Sequence, residues 1–133
     1  MLNLDEYFQI AEDYDALAEN DPVTAYNIMK RASSIKEYLD EQLATFVKEV
    51  IVLEKEAKGT EAKVSCELSS KPTDGARKAL CDSRVLQAWA TYARAVEMRD
   101  KLRAMSEFME RVYFDSKACY SRAESKLTFN RNI

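Results

Sequence analysis

Histidine is absent from this 133-residue chain, and glycine and proline are scarce, with two of each. The lack of histidine removes the commonest general base, the commonest metal ligand and any Ser-His or Cys-His nucleophilic pair. No glycine-rich phosphate loop, zinc-binding spacing or nucleophile elbow occurs either. We therefore expect a protein that is not an enzyme and that has no metal site, no cofactor and no small-molecule substrate.

Disulfide, membrane and secretion signals are also missing. The three cysteines, Cys66, Cys81 and Cys119, are an odd number without a C-x-x-C spacing, which predicts reduced thiols. The longest apolar run, "VIVL" at 50–53, is far too short for a membrane span. The first residues, "MLNLDEYFQI", are acidic where a signal peptide is basic. These absences predict a cytoplasmic protein without a membrane partner.

Charged and hydrophobic residues dominate what is present, at 32% and 47% of the chain. With so few turn-forming residues, this composition is typical of long amphipathic helices, and the length is that of one ordinary domain. The charge is unevenly spread: residues 1–29 carry seven acids and no base, residues 30–83 carry ten of each, and residues 84–133 carry ten bases and six acids. The sequence predicts a single all-α domain with one acidic and one basic end.

Breakers and apolar periodicity divide the chain into five parts. An acidic amphipathic segment, residues 1–20, is followed by a long helix over 21–68, a break over 69–82, a second long helix over 83–122 and a fraying tail over 123–133. In "NDPVTAY", an aspartate ahead of a proline is typical of a helix start. The apolar stripe of the first helix consists of Ile28, Ala32, Ile35, Leu39, Leu43, Phe46, Val50, Leu53 and Ala57.

The break "SSKPTDG" predicts a reversal of the chain between the two long helices. Within it, Thr73 or Asp74 is a candidate cap for a short helical turn, and Asp82 or Ser83 either caps the second long helix or lies inside a continuous one. The predicted fold is a long antiparallel helical hairpin, with the acidic segment docked on it or free. The seam of the second helix consists of Ala95, Met98, Leu102, Met105, Met109 and Val112.

Two long helices cover only one side of each other, so the predicted hairpin keeps apolar surface that favours self-association. We expect a homo-oligomer. The interface residues predicted from their positions off the seam are Val47, Ile51, Val85, Tyr92 and Val96.

The stretch "WATYARAVEMRDKLR", residues 89–103, places aromatic and basic residues off that seam. Trp89 and Tyr92 share one helix face, and Arg99 and Arg103 continue it. Aromatic rings beside guanidinium groups are what a single-stranded nucleic acid needs for stacking and phosphate contact. The same residues are equally suited to burial against another helix or subunit, with the arginines paired to the acidic segment, and both interpretations stay open.

The chain resembles the UvsY-like recombination mediators of bacteriophages over residues 26–122. The likeness lies in the order of a helix "ASSIKEYLDEQLATFVKEVIVLEKEAK", a polar break "VSCELSSKPTDG", and a helix "ALCDSRVLQAWATYARAVEMRDKLRAMSEFMERV" introduced by "CDSRVLQAW". This resemblance implies a ring-like homo-oligomer in a bacterial host that binds single-stranded DNA. It also implies, as partners, a RecA-type recombinase and the single-strand binding protein that the recombinase displaces.

The resemblance places a basic cluster just before the central break, where this chain has "KEAKGTEAKVSCE". Lys55, Lys58 and Lys63 are the residues that match, although this stretch lacks the arginine and tyrosine of the family pattern. The predicted nucleic-acid site therefore comprises these lysines with Trp89 and the two arginines of its helix. A rival hypothesis is a protein-binding adaptor or inhibitor that acts through the acidic N-terminal face.

Overall fold

The structure, a computed structural model, describes residues 2–18 and 21–131, with side chains to residue 126. These ranges contain four α-helices and no β-strand, which confirms the predicted all-α class. The helices are α1 (Asp5–Asp15), α2 (Pro22–Leu68), α3 (Pro72–Ala79) and α4 (Ser83–Arg131).

Aspartates cap both long helices. At the start of α2, the Asp21 carboxylate accepts a hydrogen bond from the Thr24 amide at 3.0 Å, and Pro22 takes the first helical position. At the start of α4, the Asp82 carboxylate accepts one from the Arg84 amide at 2.9 Å. Each cap satisfies a backbone N–H that has no partner within its own helix. Hydrogen bonds from the side chains of Thr24 and Arg84, together with these amide bonds, hold the pKa of both aspartates below the usual range.

Helix α3 begins differently from the two long helices. Neither of the predicted caps acts as one, because its N-cap residue is Lys71, which makes no capping hydrogen bond through its side chain. The Asp74 carboxylate instead pairs with Arg77 at 2.8 Å and with Lys78 at 3.2 Å, one turn further along. Both cations of α3 therefore pair with the one carboxylate of the same helix.

The end of α4 extends past the predicted limit. Helix continues to Arg131, where the sequence pattern predicts a fraying tail from residue 123. The stretch contains no glycine or proline, and the Tyr120 hydroxyl donates to the Glu124 carboxylate at 3.4 Å, one turn on. Loss of the apolar stripe removes packing, but it does not remove the local preference of these residues for helix.

Two compact units divide the chain. Unit 1 comprises Met1–Gln42 and Leu102–Ile133, and unit 2 comprises Leu43–Lys101. Both boundaries fall inside long helices, at positions without any breaker residue, which is why the sequence suggests one undivided domain.

In unit 1, α1 and the adjoining parts of α2 and α4 form the core. The two long segments run antiparallel, because Tyr26 contacts Tyr120 at 5.2 Å between ring centroids while Ser106 donates a hydrogen bond to Asp40. The buried residues follow the predicted stripe and seam closely. They are Ile10, Ala25, Ile28, Ala32, Ile35, Leu39, Leu102, Met105, Ser106, Met109, Val112, Ser116 and Cys119.

Unit 2 contains α3 and the remaining parts of the long helices. These parts are antiparallel as well, since Arg84 pairs with Glu67 at 2.8 Å and Trp89 donates to Glu61 at 3.3 Å. Val64, Ala79 and Val85 form its apolar cluster, against which Trp89 packs. Helix α3 approaches α2 so closely that a Cβ on Gly75 would lie 2.4 Å from the Ser65 carbonyl oxygen, a distance that real Cβ atoms do not tolerate.

Candidate nucleic-acid interface

The three lysines carried over from the resemblance lie on α2 in unit 2. Lys55, Lys58 and Lys63 are all exposed, and Lys58 forms an ion pair with Glu54 at 3.0 Å. At about 100° per residue, the three positions spread over about 140° of the helix surface. They form a broad cationic side of the helix, not a compact pocket.

Trp89 is half-buried within unit 2. Its indole N–H donates to a Glu61 carboxylate oxygen at 3.3 Å, and its ring meets Tyr92 edge-on at 5.4 Å between centroids. The ring also packs on the cluster that α3 completes. Of the two interpretations left open for this residue, this partial burial favours packing within the chain, where a short helix contributes to the cluster.

The two predicted arginines differ in their surroundings. Arg99 is half-buried and pairs with the neighbouring Asp100 at 3.1 Å, while Arg103 is exposed. Arg99 belongs to unit 2 and Arg103 to unit 1. The partner of the acidic segment is a different arginine, Arg31.

Exposure separates the predicted interface residues into two groups. Val47 and Ile51 are exposed on α2, with Ile51 retaining 52% of its accessible surface, and the adjacent Val52 is exposed as well. Tyr92 and Val96 are half-buried. Val85, only 1% exposed, is already covered within unit 2, because α3 folds back over it. The assignment of Val85 to an interface between copies is therefore wrong.

Helix α1 is docked, which settles whether the acidic segment is docked or free for the residues described. The Arg31 guanidinium donates from Nε to Glu6 and from Nη1 to Asp13, both at 2.7 Å. The hydrogen bond from Arg31 holds the pKa of the Asp13 carboxyl below its usual range, and the two carboxylates raise the pKa of Arg31. A single side chain of α2 thus pairs with two of the acids of α1.

Aromatic contacts complete the attachment of α1. Tyr7 and Tyr14 both meet Phe108 of α4 edge-on, with centroids 6.2 and 6.1 Å from it. The Tyr14 hydroxyl donates to the Asp115 carboxylate at 2.5 Å, which raises the pKa of that phenol. Ile10 is the residue of α1 that is fully buried. The contact between α1 and the long helices is therefore narrow in apolar area and rich in polar bonds.

A second surface of unit 1, not anticipated from the sequence, combines one exposed and two half-buried aromatic rings with lysines. We call it the aromatic–lysine surface, and it consists of Tyr26, Lys30, Tyr113, Lys117 and Tyr120. The Lys30 ammonium lies 5.3 Å from the Tyr26 ring centroid, and the Lys117 ammonium lies 5.8 Å from that of Tyr113. The ring of Tyr26 is 42% exposed and touches that of Tyr120.

This surface lies on a different side of α4 from α1. At about 100° per residue, Tyr113, Lys117 and Tyr120 fall within about 60° of one another, roughly half a turn from Phe108 and Asp115, which contact α1. An open groove of about 310 Å³ runs beside Tyr26 and Tyr120. Tyrosine followed by lysine four residues later occurs twice, at 26–30 and 113–117, and that spacing is the signal by which the sequence could have shown the surface.

Neither a metal-binding cluster nor a membrane-spanning helix occurs in the described ranges. No group of three or more cysteine, aspartate and glutamate side chains in those ranges is arranged to hold a metal ion. None of the helices, over their described lengths, is long and apolar enough to cross a membrane.

Comparison with known proteins gave no match: no protein-family profile, no curated protein and no solved structure is significantly similar to this chain.

Proposed function

We propose that this chain is a non-enzymatic protein that binds single-stranded DNA and acts as a recombination mediator of the UvsY-like kind. The observation that carries the proposal is the aromatic–lysine surface of unit 1. Single-stranded nucleic acids bind to exposed aromatic rings, on which bases stack, next to cations that meet the phosphates. Tyr26 with Lys30 and Tyr113 with Lys117 supply that combination twice.

The lysines of unit 2 add phosphate contacts to this proposal. Lys55, Lys58 and Lys63 are exposed, and flexible lysine side chains need no pocket to neutralise a phosphate backbone. The ring of Trp89 is partly buried against its own unit, so Trp89 offers less surface for stacking than the sequence suggests. Its fluorescence remains a convenient reporter of changes near α3.

A long antiparallel hairpin that self-associates is part of the same proposal. The antiparallel packing of long-helix segments within each unit supports the hairpin. Exposed Val47, Ile51 and Val52 support the homo-oligomer, because neighbouring apolar side chains on one helix favour a protein contact. The resemblance adds a recombinase and a single-strand binding protein as partners in the cytoplasm of a bacterial host.

Replacing the two lysine-paired tyrosines tests the DNA-binding function. We expect Tyr26→Ala/Tyr113→Ala to weaken binding of a fluorescent oligothymidylate roughly tenfold or more, since each stacked base contributes about 1–3 kcal/mol. Fluorescence anisotropy at low salt measures the dissociation constant. Phe8→Ala, which removes an aromatic ring that is 61% exposed elsewhere in unit 1, is the matched control. Equal affinity of the tyrosine variant and the wild type would refute the role of this surface.

A second candidate, a protein-binding adaptor, is favoured by the outer face of α1. Phe8 lies there among Asp5, Glu12 and Asp15, an apolar ring set in acids that suits a basic protein partner. Oligonucleotide binding by the wild type separates the two candidates, because a mediator binds the single strand at low salt and an adaptor that acts only on proteins does not. Phe8→Ala then tests the outer face of α1, and it should weaken capture of a purified recombinase if that face contacts protein.

A further inference from the structure

The charge of α1 is of one sign. Its residues include Asp5, Glu6, Glu12, Asp13 and Asp15 and no base, so the helix is a short rod of negative charge. Its two ion pairs both go to Arg31 of α2. The N–H groups with which Arg31 binds two carboxylates can equally bind two phosphate oxygens.

The surroundings of Arg31 suit an anion. An open groove of about 440 Å³ beside it is lined by Glu6, Asn27, Lys30, Arg31, Ser34 and Ile35. Apart from Glu6, this lining supplies two cations, an amide, a hydroxyl and one apolar side chain. The Glu6 carboxylate, at 2.7 Å from Arg31 Nε, is the anion at this groove.

Lys30 connects the groove to the aromatic–lysine surface. Its ammonium lies 5.3 Å from the centroid of the Tyr26 ring, and the same residue lines the groove beside Arg31. A nucleic acid stacked on Tyr26 would therefore place a phosphate near Lys30, and Arg31 is the next cation along α2. The groove and the stacking surface lie within one unit.

The ion pairs of α1 lie at Arg31 beside this groove, and the rest of its attachment is aromatic packing on Phe108 and the Tyr14–Asp115 hydrogen bond. Ile10 is its one fully buried residue, and Phe8 on the same helix is mostly exposed. Ion pairs between partly exposed side chains contribute little and weaken with salt. Because an 11-residue helix is marginal alone, α1 stays helical largely through this docking. The two ion pairs to Arg31 are therefore the part of the attachment for which a polyanion can compete.

We infer that α1 is an autoinhibitory strap whose Glu6 occupies an anion-binding groove at Arg31 while its Asp13 pairs with the same arginine, and that phosphates of the bound single strand displace it. This inference rests on the proposed DNA-binding function and adds a regulation to it. In the free protein the strap lowers the affinity for nucleic acid. In the complex Arg31 exchanges two carboxylates for phosphate oxygens, and the acidic helix is released for contact with other proteins.

Neutralising the two strap carboxylates tests the inference. We expect Glu6→Gln/Asp13→Asn to bind a fluorescent oligothymidylate at least about fivefold more tightly than the wild type at low salt, the lower end of typical coupling between sites. Glu12→Gln/Asp15→Asn is the matched control, because it changes the charge of α1 equally at two exposed positions. Adding Arg31→Ala to the first variant should abolish the gain, since the arginine is then no longer present to bind phosphate.

The outcomes distinguish the inference from the proposed function. If the wild type binds and the Glu6/Asp13 variant binds no more tightly than the Glu12/Asp15 variant, the strap is refuted and the DNA-binding function stands. If neither the wild type nor any variant binds the oligonucleotide, the proposed function fails, and the strap fails with it.

Hydrogen exchange on the wild type provides a measurement that does not depend on the folding of a variant. Saturating oligothymidylate should increase the exchange rate of the amides of residues 9–15 and decrease it around Lys30 and Arg31. Unchanged or greater protection of α1 in the complex would contradict the displacement.

Discussion

The two units differ in how a third helix covers the pair of long-helix segments. In unit 1 the covering helix α1 is attached by ion pairs to Arg31 and by the Tyr14–Asp115 hydrogen bond. In unit 2 the covering helix α3 pairs its charged side chains with one another and packs at backbone distance, through Gly75 against Ser65. Electrostatic attachment responds to salt, pH and competing anions, whereas close packing responds to volume. The comparison therefore separates a displaceable helix from a fixed one.

The largest effect is expected in the shared core of α2 and α4 in unit 1. Leu39→Ala should lower the free energy of unfolding by about 2–5 kcal/mol, because the fully buried leucine would leave a cavity. Leu86→Ala, at an exposed position in unit 2, should change it by no more than about 0.5 kcal/mol. Urea unfolding followed by circular dichroism measures both. Similar losses in the two variants would show that Leu86 is covered in solution.

The two glycines test the fixed attachment of α3. Gly75→Ala should destabilise the protein by about 1–3 kcal/mol, because its Cβ would collide with backbone atoms of Ser65. Gly59→Ala should stabilise it by about 0.5–1 kcal/mol, because the added Cβ meets open space inside a helix. Thermal unfolding, with Trp89 fluorescence reporting on unit 2, distinguishes opposite signs. A stabilising Gly75→Ala would mean that α3 is not tightly packed.

Self-association tests what covers the exposed apolar side of unit 2. Val47→Ser/Ile51→Ser should weaken oligomer formation roughly tenfold, because it removes two exposed apolar side chains from the proposed interface. Light scattering over a concentration series measures the mass. Leu80→Ser, at another exposed apolar position in unit 2, is the control. A wild-type chain that remains monomeric throughout would contradict the proposed interface.

The smallest effect is a local response of α1 to pH. The pKa of Asp13 is lowered by Arg31, so the stabilisation is complete above the ordinary carboxyl value of about 3.9 and is lost as pH falls below it. The pKa of Tyr14 is raised by its hydrogen bond to Asp115, so that contribution is complete below about 10 and is lost as pH rises further.

The methyl resonances of Ile10 measure this response directly, because this side chain of α1 is buried when the helix is docked. We expect constant chemical shifts between about pH 5 and 9 and a change at either extreme, while Val64 in unit 2 shows no parallel change. A transition near neutral pH would show that groups other than the Asp13 carboxyl and the Tyr14 phenol control the docking of α1.

The helices could be predicted from local sequence patterns. The features that the sequence did not predict depend on tertiary contacts between helices. The stripe from Ile28 to Leu39 and the seam from Leu102 to Val112 follow from helical periodicity, and they are buried as that periodicity indicates. The cap at Asp21 follows from a short motif. The burial of Trp89, by contrast, depends on where α3 folds back, and periodicity alone cannot show that.

Arg31 illustrates the same limit at the candidate site. It lies with Lys30 at the first basic positions after seven acids, a signal that places cations near the acidic segment in sequence. Pairing with Glu6 and Asp13 needs α1 to turn back along α2, which is a tertiary contact. The sequence therefore indicated that the acidic helix pairs with basic residues. It pointed to Arg99 and Arg103 of α4, whereas the ion pairs are made by Arg31 of α2.

A salt titration of the wild-type protein with a fluorescent oligothymidylate tests the central claim most directly. If the chain binds single-stranded DNA through its lysines and tyrosines, the logarithm of the association constant should fall linearly with the logarithm of the salt concentration. The slope should be about −2 or steeper, since each phosphate contact to a single strand contributes about −0.7. Absence of binding at low salt, or binding that is independent of salt, would contradict the account.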